Sequence, residues 1–187
     1  MMRVTFDLLA PIYDVIMPEP EPERLRKVLR LPAPGRVLEA GAGTGRVSSH
    51  LLPFVETLVV NDLSAPMLQR AKAKGPLRPV QSYVERLPFP DSSFNRVFVV
   101  DAFHHFEDHE AAVGELVRVL AVGGRLVIEE PDIRRFAVKL VALAEKLGRM
   151  RSHFLPAEAI ASKLARHGLE PHLACRRGFT ICVVADK

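Results

Sequence analysis

The chain has 187 residues, 48% of them hydrophobic and 26% charged, with a net charge of +4. This is enough material for one ordinary globular domain with a sizeable core, and it requires no second domain. No run of about 18 apolar residues occurs and no leader-like pattern opens the chain, so the expectation is a cytoplasmic protein without integral membrane association.

Residues 1 to 34 read as a preamble. Phe6, Leu8, Leu9, Ile12, Tyr13, Val15 and Ile16 recur with helical spacing until the proline and glutamate cluster at Pro18 to Pro22. A short helix over about Glu23 to Leu31 follows, stopped by Pro32-Ala33-Pro34-Gly35. Strand and helix signals then alternate: strand Arg36 to Ala40, helix Arg46 to Leu52, strand Thr57 to Asn61, and helix Ala65 to Lys74 with Ser64 as N-cap and Gly75 past its end. Strands near Val80 to Tyr83, Asn95 to Val100 and Arg125 to Glu129 continue the series, with a helix over about Glu110 to Leu120. This alternation predicts a parallel sheet covered on both faces, with ligands at the C-terminal ends of its strands. The pattern then changes. An apolar helix, about Arg134 to Gly148, precedes a helix from Pro156 to Gly168, and the strands Leu169 to Cys175 and Phe179 to Ala185 flank Arg176-Arg177-Gly178, short enough for a hairpin.

The first strand ends in Glu39-Ala40-Gly41-Ala42-Gly43-Thr44-Gly45-Arg46. Glycines at a strand-to-helix turn let a ligand approach backbone N–H donors closely. A dinucleotide site would place its third small residue at position 46, which is Arg46, so the spacing G-x-G-x-G argues against a dehydrogenase. Asp62, 21 positions beyond Gly41, ends the second strand where a carboxylate accepts hydrogen bonds from both hydroxyls of a ribose.

Together with Leu87 to Asn95, Asp101-Ala102-Phe103-His104-His105-Phe106 and Leu120 to Leu126, these segments resemble the class I S-adenosylmethionine-dependent methyltransferases, in the branch of the ubiquinone/menaquinone C-methyltransferases. The opening Phe6-Asp7-Leu8-Leu9-Ala10-Pro11-Ile12-Tyr13-Asp14 is similar to that branch's F-D-x-x-A-x-x-Y-D, and the resemblance runs from about Phe6 to Asp132. It implies an α/β fold: a Rossmann-like, seven-stranded, mostly parallel sheet with helices on both faces and an antiparallel C-terminal strand. It also implies S-adenosyl-L-methionine as cofactor. Glu39, Gly41, Ala42, Gly43, Thr44 and Gly45 would hold its methionine part, Asp62 its ribose and Leu63 one adenine face; Tyr83, Val84 and Glu85 would line the adenine, and Asp101, Ala102 and Phe103 would lie beside the sulfonium. The family has an acid where Tyr83 stands, F-D where Phe94-Asn95 stands, and K-P-G-G where Ala121-Val122-Gly123-Gly124 stands. On this reading residues 1–34 form a lid segment, 35–132 the cofactor core and 133–187 the closing helices and strands of a single domain.

Alignment of nucleophile, methyl and sulfur is the main demand of methyl transfer, and a base is needed only where the acceptor must lose a proton. His105, His104 and Asp101 are the candidate catalytic groups, with Glu130 and Asp132 expected on the acceptor side. Tyr13 and Phe136 lie on the two segments left to cover the pocket. The apolar helix carrying Phe136, Val138, Leu140, Val141, Leu143 and Leu147 would pack on the preamble, line an apolar acceptor pocket or make a homodimer contact. Cys175 and Cys182 lack a metal-ligand spacing, and packing is expected of them before a cross-strand bond; no metal is expected. Residues 132–187 carry 11 Lys and Arg against 5 Asp and Glu, a basic bias read as a solvated face without a DNA partner. The leading expectation is methyl transfer to a small-molecule acceptor, apolar or quinone-like. RNA or protein methylation and a non-catalytic cofactor-binding module are the alternatives.

Overall fold

The computed structural model describes residues 2–18, 20–147 and 152–187. Seven strands form one sheet in the order β3-β2-β1-β4-β5-β7-β6: β1 (Ala33–Ala40), β2 (Val55–Asp62), β3 (Arg78–Gln81), β4 (Phe94–Val100), β5 (Leu120–Pro131), β6 (Glu170–Arg177) and β7 (Thr180–Asp186). The ladders β1–β2, β1–β4, β2–β3 and β4–β5 are parallel, while β7 runs antiparallel to both neighbours. The expected fold class is therefore observed. Strand order reverses between β1 and β4, where the sequence carries its glycine loop.

The apolar strand residues divide between two layers. Leu38, Val97, Val99, Leu126 and Ile128 pack on one side with α6 (His109–Val119) and α8 (Ala157–Arg166). Val37, Leu58, Val60, Phe98 and Val127 pack on the other with α3 (Pro22–Val28), α4 (Ser48–Leu51) and α5 (Ala65–Lys72). Each fully buried Val, Leu, Ile or Phe contributes about 1.5–3 kcal/mol, so both faces hold the sheet. Helix starts follow side-chain capping: Ser64 Oγ accepts from Met67 N–H at 3.3 Å, and Asp108 Oδ1 from the N–H groups of Glu110 and Ala111 at 2.9 and 3.1 Å.

Several boundaries differ from the expectation. The preamble is two helices, α1 (Met2–Leu9) and α2 (Tyr13–Ile16), interrupted at Ala10-Pro11-Ile12, where proline cannot continue the ladder. The helix expected from Arg46 is reduced to α4, since Gly45 leaves the loop at φ +67° and Pro53 follows. β3 stops at Gln81, so Tyr83 begins a single 3₁₀ turn instead of ending a strand. The expected end at Gly148 of α7 (Phe136–Leu147) lies outside the described residues, as does Glu19 of the proline cluster.

Two expectations are corrected. On α7, Phe136, Leu140, Val141 and Leu143 are exposed and Val138 is buried, so this face does not pack on the preamble. Cys175 and Cys182 are bonded as a disulfide: the β6–β7 register sets them opposite one another with Cα atoms 5.0 Å apart, within bridging range. Sequence spacing alone does not reveal that register. No helix among the described residues is long and apolar enough to cross a membrane.

Candidate functional site

Two cavities open at the C-terminal edge of the sheet and meet at Asp101. The first, about 110 Å³, is lined among others by Phe6, Tyr13, Gly41, Gly43, Asp62 and Tyr83. The second, about 430 Å³, is lined among others by Arg24, Arg46, Asp101, Glu129, Glu130 and Phe179.

At the first cavity the glycine loop turns under β1 with Gly41, Gly43 and Gly45 at positive φ. The three glycines serve different ends. A Cβ at Gly41 would lie 2.7 Å from Ala102 Cβ and one at Gly45 2.8 Å from Leu77 Cδ1, so these positions allow close packing. A Cβ at Gly43 would meet only the Tyr13 ring, at 4.0 Å, so this backbone faces the cavity. Asp62 closes the loop from β2, its Oδ2 accepting from Gly43 N–H and its Oδ1 from Ser64 N–H, both at 2.8 Å. Burial raises its pKa while the backbone donors oppose that rise. Each carboxylate oxygen keeps a lone pair for a further donor, which fits a ribose diol.

Glu39 is placed differently from the expectation. It is buried beneath the loop, accepts from Ser48 Oγ and is absent from the cavity lining; burial pushes its pKa up to about 7. Thr44 likewise turns its hydroxyl to Asp14. Ala42 and Gly45 also serve the loop's own backbone, Ala42 donating to Asn61 O and Gly45 to Ala42 O. Leu63, Tyr83, Val84 and Glu85 line the cavity as expected, as do Asp101 and Ala102, but the adjacent Phe103 is buried in the core. Glu85 Oε1 accepts from Glu107 and Asp108 N–H at 2.8 and 3.3 Å, which ties the post-β4 loop over the same edge.

The preamble clasps this cavity. Asp7 Oδ1 accepts from Ser64 Oγ at 2.5 Å, and Asp14 holds Thr44 and Lys74, the latter at 2.6 Å. These two acids set the aromatic residues beside them: Phe6 lies edge-on to Tyr13 at 6.4 Å and to His105 at 5.0 Å. The covered volume is below the roughly 300–1,000 Å³ of ordinary ligand pockets. Phe136, expected as the second cover, is 75% exposed and lines neither cavity, because it starts α7 on the solvent side.

Where the cavities meet, Asp101 has φ +53°, a left-handed conformation uncommon for a residue with a side chain and frequent where function holds it. Its N–H donates to Glu129 O at 2.9 Å. Burial, reinforced by Glu130, pushes its carboxyl up to about 6. His105 lines the first cavity, and burial pushes its imidazole down to about 3, so it is neutral. His104 is buried, with Nδ1 2.6 Å from Glu130 Oε2; burial opposes its charge, but the Glu130 carboxylate outweighs that and raises its pKa. Tyr13 is held well above the ordinary phenol range by burial and by Asp101, so it remains a donor.

On the acceptor side, Glu130 is present as expected, whereas Asp132 is turned away, accepting from Arg134 N–H at 3.1 Å with Arg176 at 3.4 Å. Glu129 takes its place in the second cavity, paired to Arg24 at 2.6 Å. Residues missed in the sequence include Ser82 just past β3, Met67 on α5, Arg24 on α3 and Phe179 in the β6–β7 turn; only the packing of these elements brings them to the cavities. Asn95, where the family has an acid, accepts from Arg36 N–H at 3.3 Å and fills the space a Cβ on Gly35 would need, a structural role.

The model of a family described as a methyltransferase domain matches residues 38–128, the stretch from β1 through β5 that carries this loop, Asp62 and Asp101. This stretch is similar to that methyltransferase family. A demethylmenaquinone methyltransferase of Thermus thermophilus is 42% identical over 106 residues, 52% of this chain and 48% of that one. The chain spans about half the length of the curated relatives it matches. Among solved structures, the YcgJ protein of Bacillus subtilis superposes with a TM-score of 0.71 at 26% identity, covering 82% of this chain and 69% of that one. An S-adenosylmethionine-dependent methyltransferase of Thermotoga maritima gives 0.78 at 20% identity with both chains fully covered, a likeness of fold. Within the methyltransferase core, the open backbone at Gly43 and the diol-fitting carboxylate of Asp62 suit S-adenosyl-L-methionine.

Proposed function

We propose that this protein is a cytoplasmic methyltransferase acting from S-adenosyl-L-methionine on a small acceptor, apolar and quinone-like. The observation that carries the reading is the junction at Asp101, where the covered cavity bounded by Gly43 and Asp62 meets a separate, larger cavity. When bound, S-adenosylmethionine supplies an electrophilic methyl group on a sulfonium. Asp62 holds the ribose and the Gly43 backbone admits the methionine part, while Tyr83, Val84 and Glu85 border the adenine. Phe6 and Tyr13 exclude water, which strengthens every charge interaction inside. The name of the Thermus relative supports a quinone-like acceptor, and Phe179 and Leu25 give the second cavity apolar walls. The exposed face of α7 is assigned to a homodimer contact.

Asp101 is the group proposed to take a proton from the acceptor. Glu130, His104, Arg46, Glu145 and Tyr13 set its field. The His105 imidazole, neutral and weakly basic, stands in the first cavity and is not the proton acceptor.

The test is transfer of labelled methyl groups from S-adenosylmethionine to fractionated small molecules, lipids, RNA and protein. Label is expected in a small-molecule or lipid fraction; label confined to RNA or protein would overturn the acceptor class. With the acceptor found, kcat/KM should fall as pH drops through about 6, where the carboxylate is protonated. Asp101→Asn should lower kcat by about 10²–10⁴-fold and abolish that acid limb. An unchanged limb would remove Asp101 as base. Deleting residues 1–17 should abolish transfer while leaving the sheet folded; full activity of the truncated chain would refute the clasp.

A further inference from the structure

Glu145 lines neither cavity, yet its Oε2 is buried without a hydrogen-bond partner. It projects from α7 toward the adjacent pair His104 and His105, and one ligand atom from each of the three residues lies within 4.8 Å of the others. Each imidazole is already oriented through Nδ1. His104 Nδ1 lies 2.6 Å from Glu130 Oε2, and His105 Nδ1 is 3.2 Å from Ser152 Oγ. Glu130 is itself fixed, its Oε1 accepting from Ala102 and Phe103 N–H at 3.0 and 2.8 Å. With Nδ1–H of His104 donating to the Glu130 carboxylate its Nε2 is the nitrogen open to a metal, and the tautomer of His105 that donates Nδ1–H to Ser152 Oγ presents Nε2 in the same way. A histidine backed by a carboxylate is the arrangement that orients imidazole toward a metal.

We propose that His104, His105 and Glu145 form a binding site for a divalent transition-metal ion of the zinc type. Two imidazoles and one carboxylate suit zinc and its neighbours, whereas calcium and magnesium favour all-oxygen sets. Three protein ligands leave a position open, as in sites that engage a substrate. Metal–ligand bonds of about 2.0–2.2 Å require the donors to draw together by roughly an ångström, a movement that falls to Glu145 on the partly exposed helix. The carboxylates of Asp101 and Glu130 add negative charge beside the ion. His105 lines the first cavity and Asp101 lines both, so the ion would stand at the border of the proposed reaction site, where it would polarise an acceptor oxygen, a hydroxyl or carbonyl, that reaches it. That last role rests on the methyl-transfer reading; the site itself does not.

Cobalt(II) titrated into the metal-stripped full chain, with its disulfide intact, tests the site. One equivalent should bind with visible d–d absorption, and zinc should displace it. Glu145→Gln should weaken cobalt binding by about 10–100-fold while leaving S-adenosylhomocysteine binding unchanged, and Glu145→Asp should restore part of the affinity. Absence of d–d bands at saturating cobalt, or equal affinity in Glu145→Gln, would overturn the proposal. Intact cobalt binding in a chain that binds no S-adenosylhomocysteine would refute the methyltransferase reading while supporting the metal site.

Discussion

Asp62→Ala should weaken S-adenosylhomocysteine binding by at least about a hundredfold. The carboxylate is proposed to accept from two ribose hydroxyls, and a hydrogen bond to a charged group contributes about 1.5–3 kcal/mol, so losing both removes more than two decades of affinity. The same carboxylate also accepts from Gly43 and Ser64 N–H at 2.8 Å, so the substitution loosens the loop that faces the ligand and adds to the loss. The fold should survive, since both layers of the sheet are packed without Asp62. Isothermal calorimetry on wild type and variant gives the comparison. A folded variant whose affinity lies within threefold of wild type would place the ribose elsewhere.

Gly43→Val should go further and bring binding below detection. Gly43 sits at φ +54°, where a residue with a Cβ is strained by about 1–2 kcal/mol and a β-branched one by more. Its side chain would project toward Tyr13, filling the approach that the open backbone leaves. Thermal denaturation should show a modest loss of stability, and calorimetry no heat of binding. Gly43→Ala, which carries the strain with less bulk, should retain measurable but weakened affinity. Full binding by the valine variant would show that the loop backbone does not contact the cofactor.

Much of this arrangement was legible in the sequence because it depends on local signals. The buried run Val37 to Ala40, the glycine spacing after it and Asp62 at the end of the next strand are set by strand and turn chemistry within 25 residues. The paired segments Phe6-Asp7 and Tyr13-Asp14 were legible only through family likeness; their spacing does not disclose that the acids bind Ser64 and Lys74 so that the aromatics cover the pocket. What could not be read depends on registers between distant elements. Asp132 and Glu129 are three residues apart on or just past one strand, and only the pairing with β7 and the reach of Arg24 decide which one enters the second cavity. The Cys175–Cys182 bond follows from the β6–β7 register in the same way. Family likeness places Glu39 at the ligand, but in the fold it is buried and turned to Ser48.

The central claim is that this fold holds S-adenosylmethionine at the Gly43–Asp62 edge. Calorimetric titration of the wild-type chain with S-adenosylhomocysteine, with NAD in a parallel titration, tests it most directly. The account predicts one equivalent of S-adenosylhomocysteine bound, no heat from NAD, and a thermal midpoint that rises with ligand concentration by mass action. NAD binding, with no response to S-adenosylhomocysteine at millimolar concentration, would contradict it.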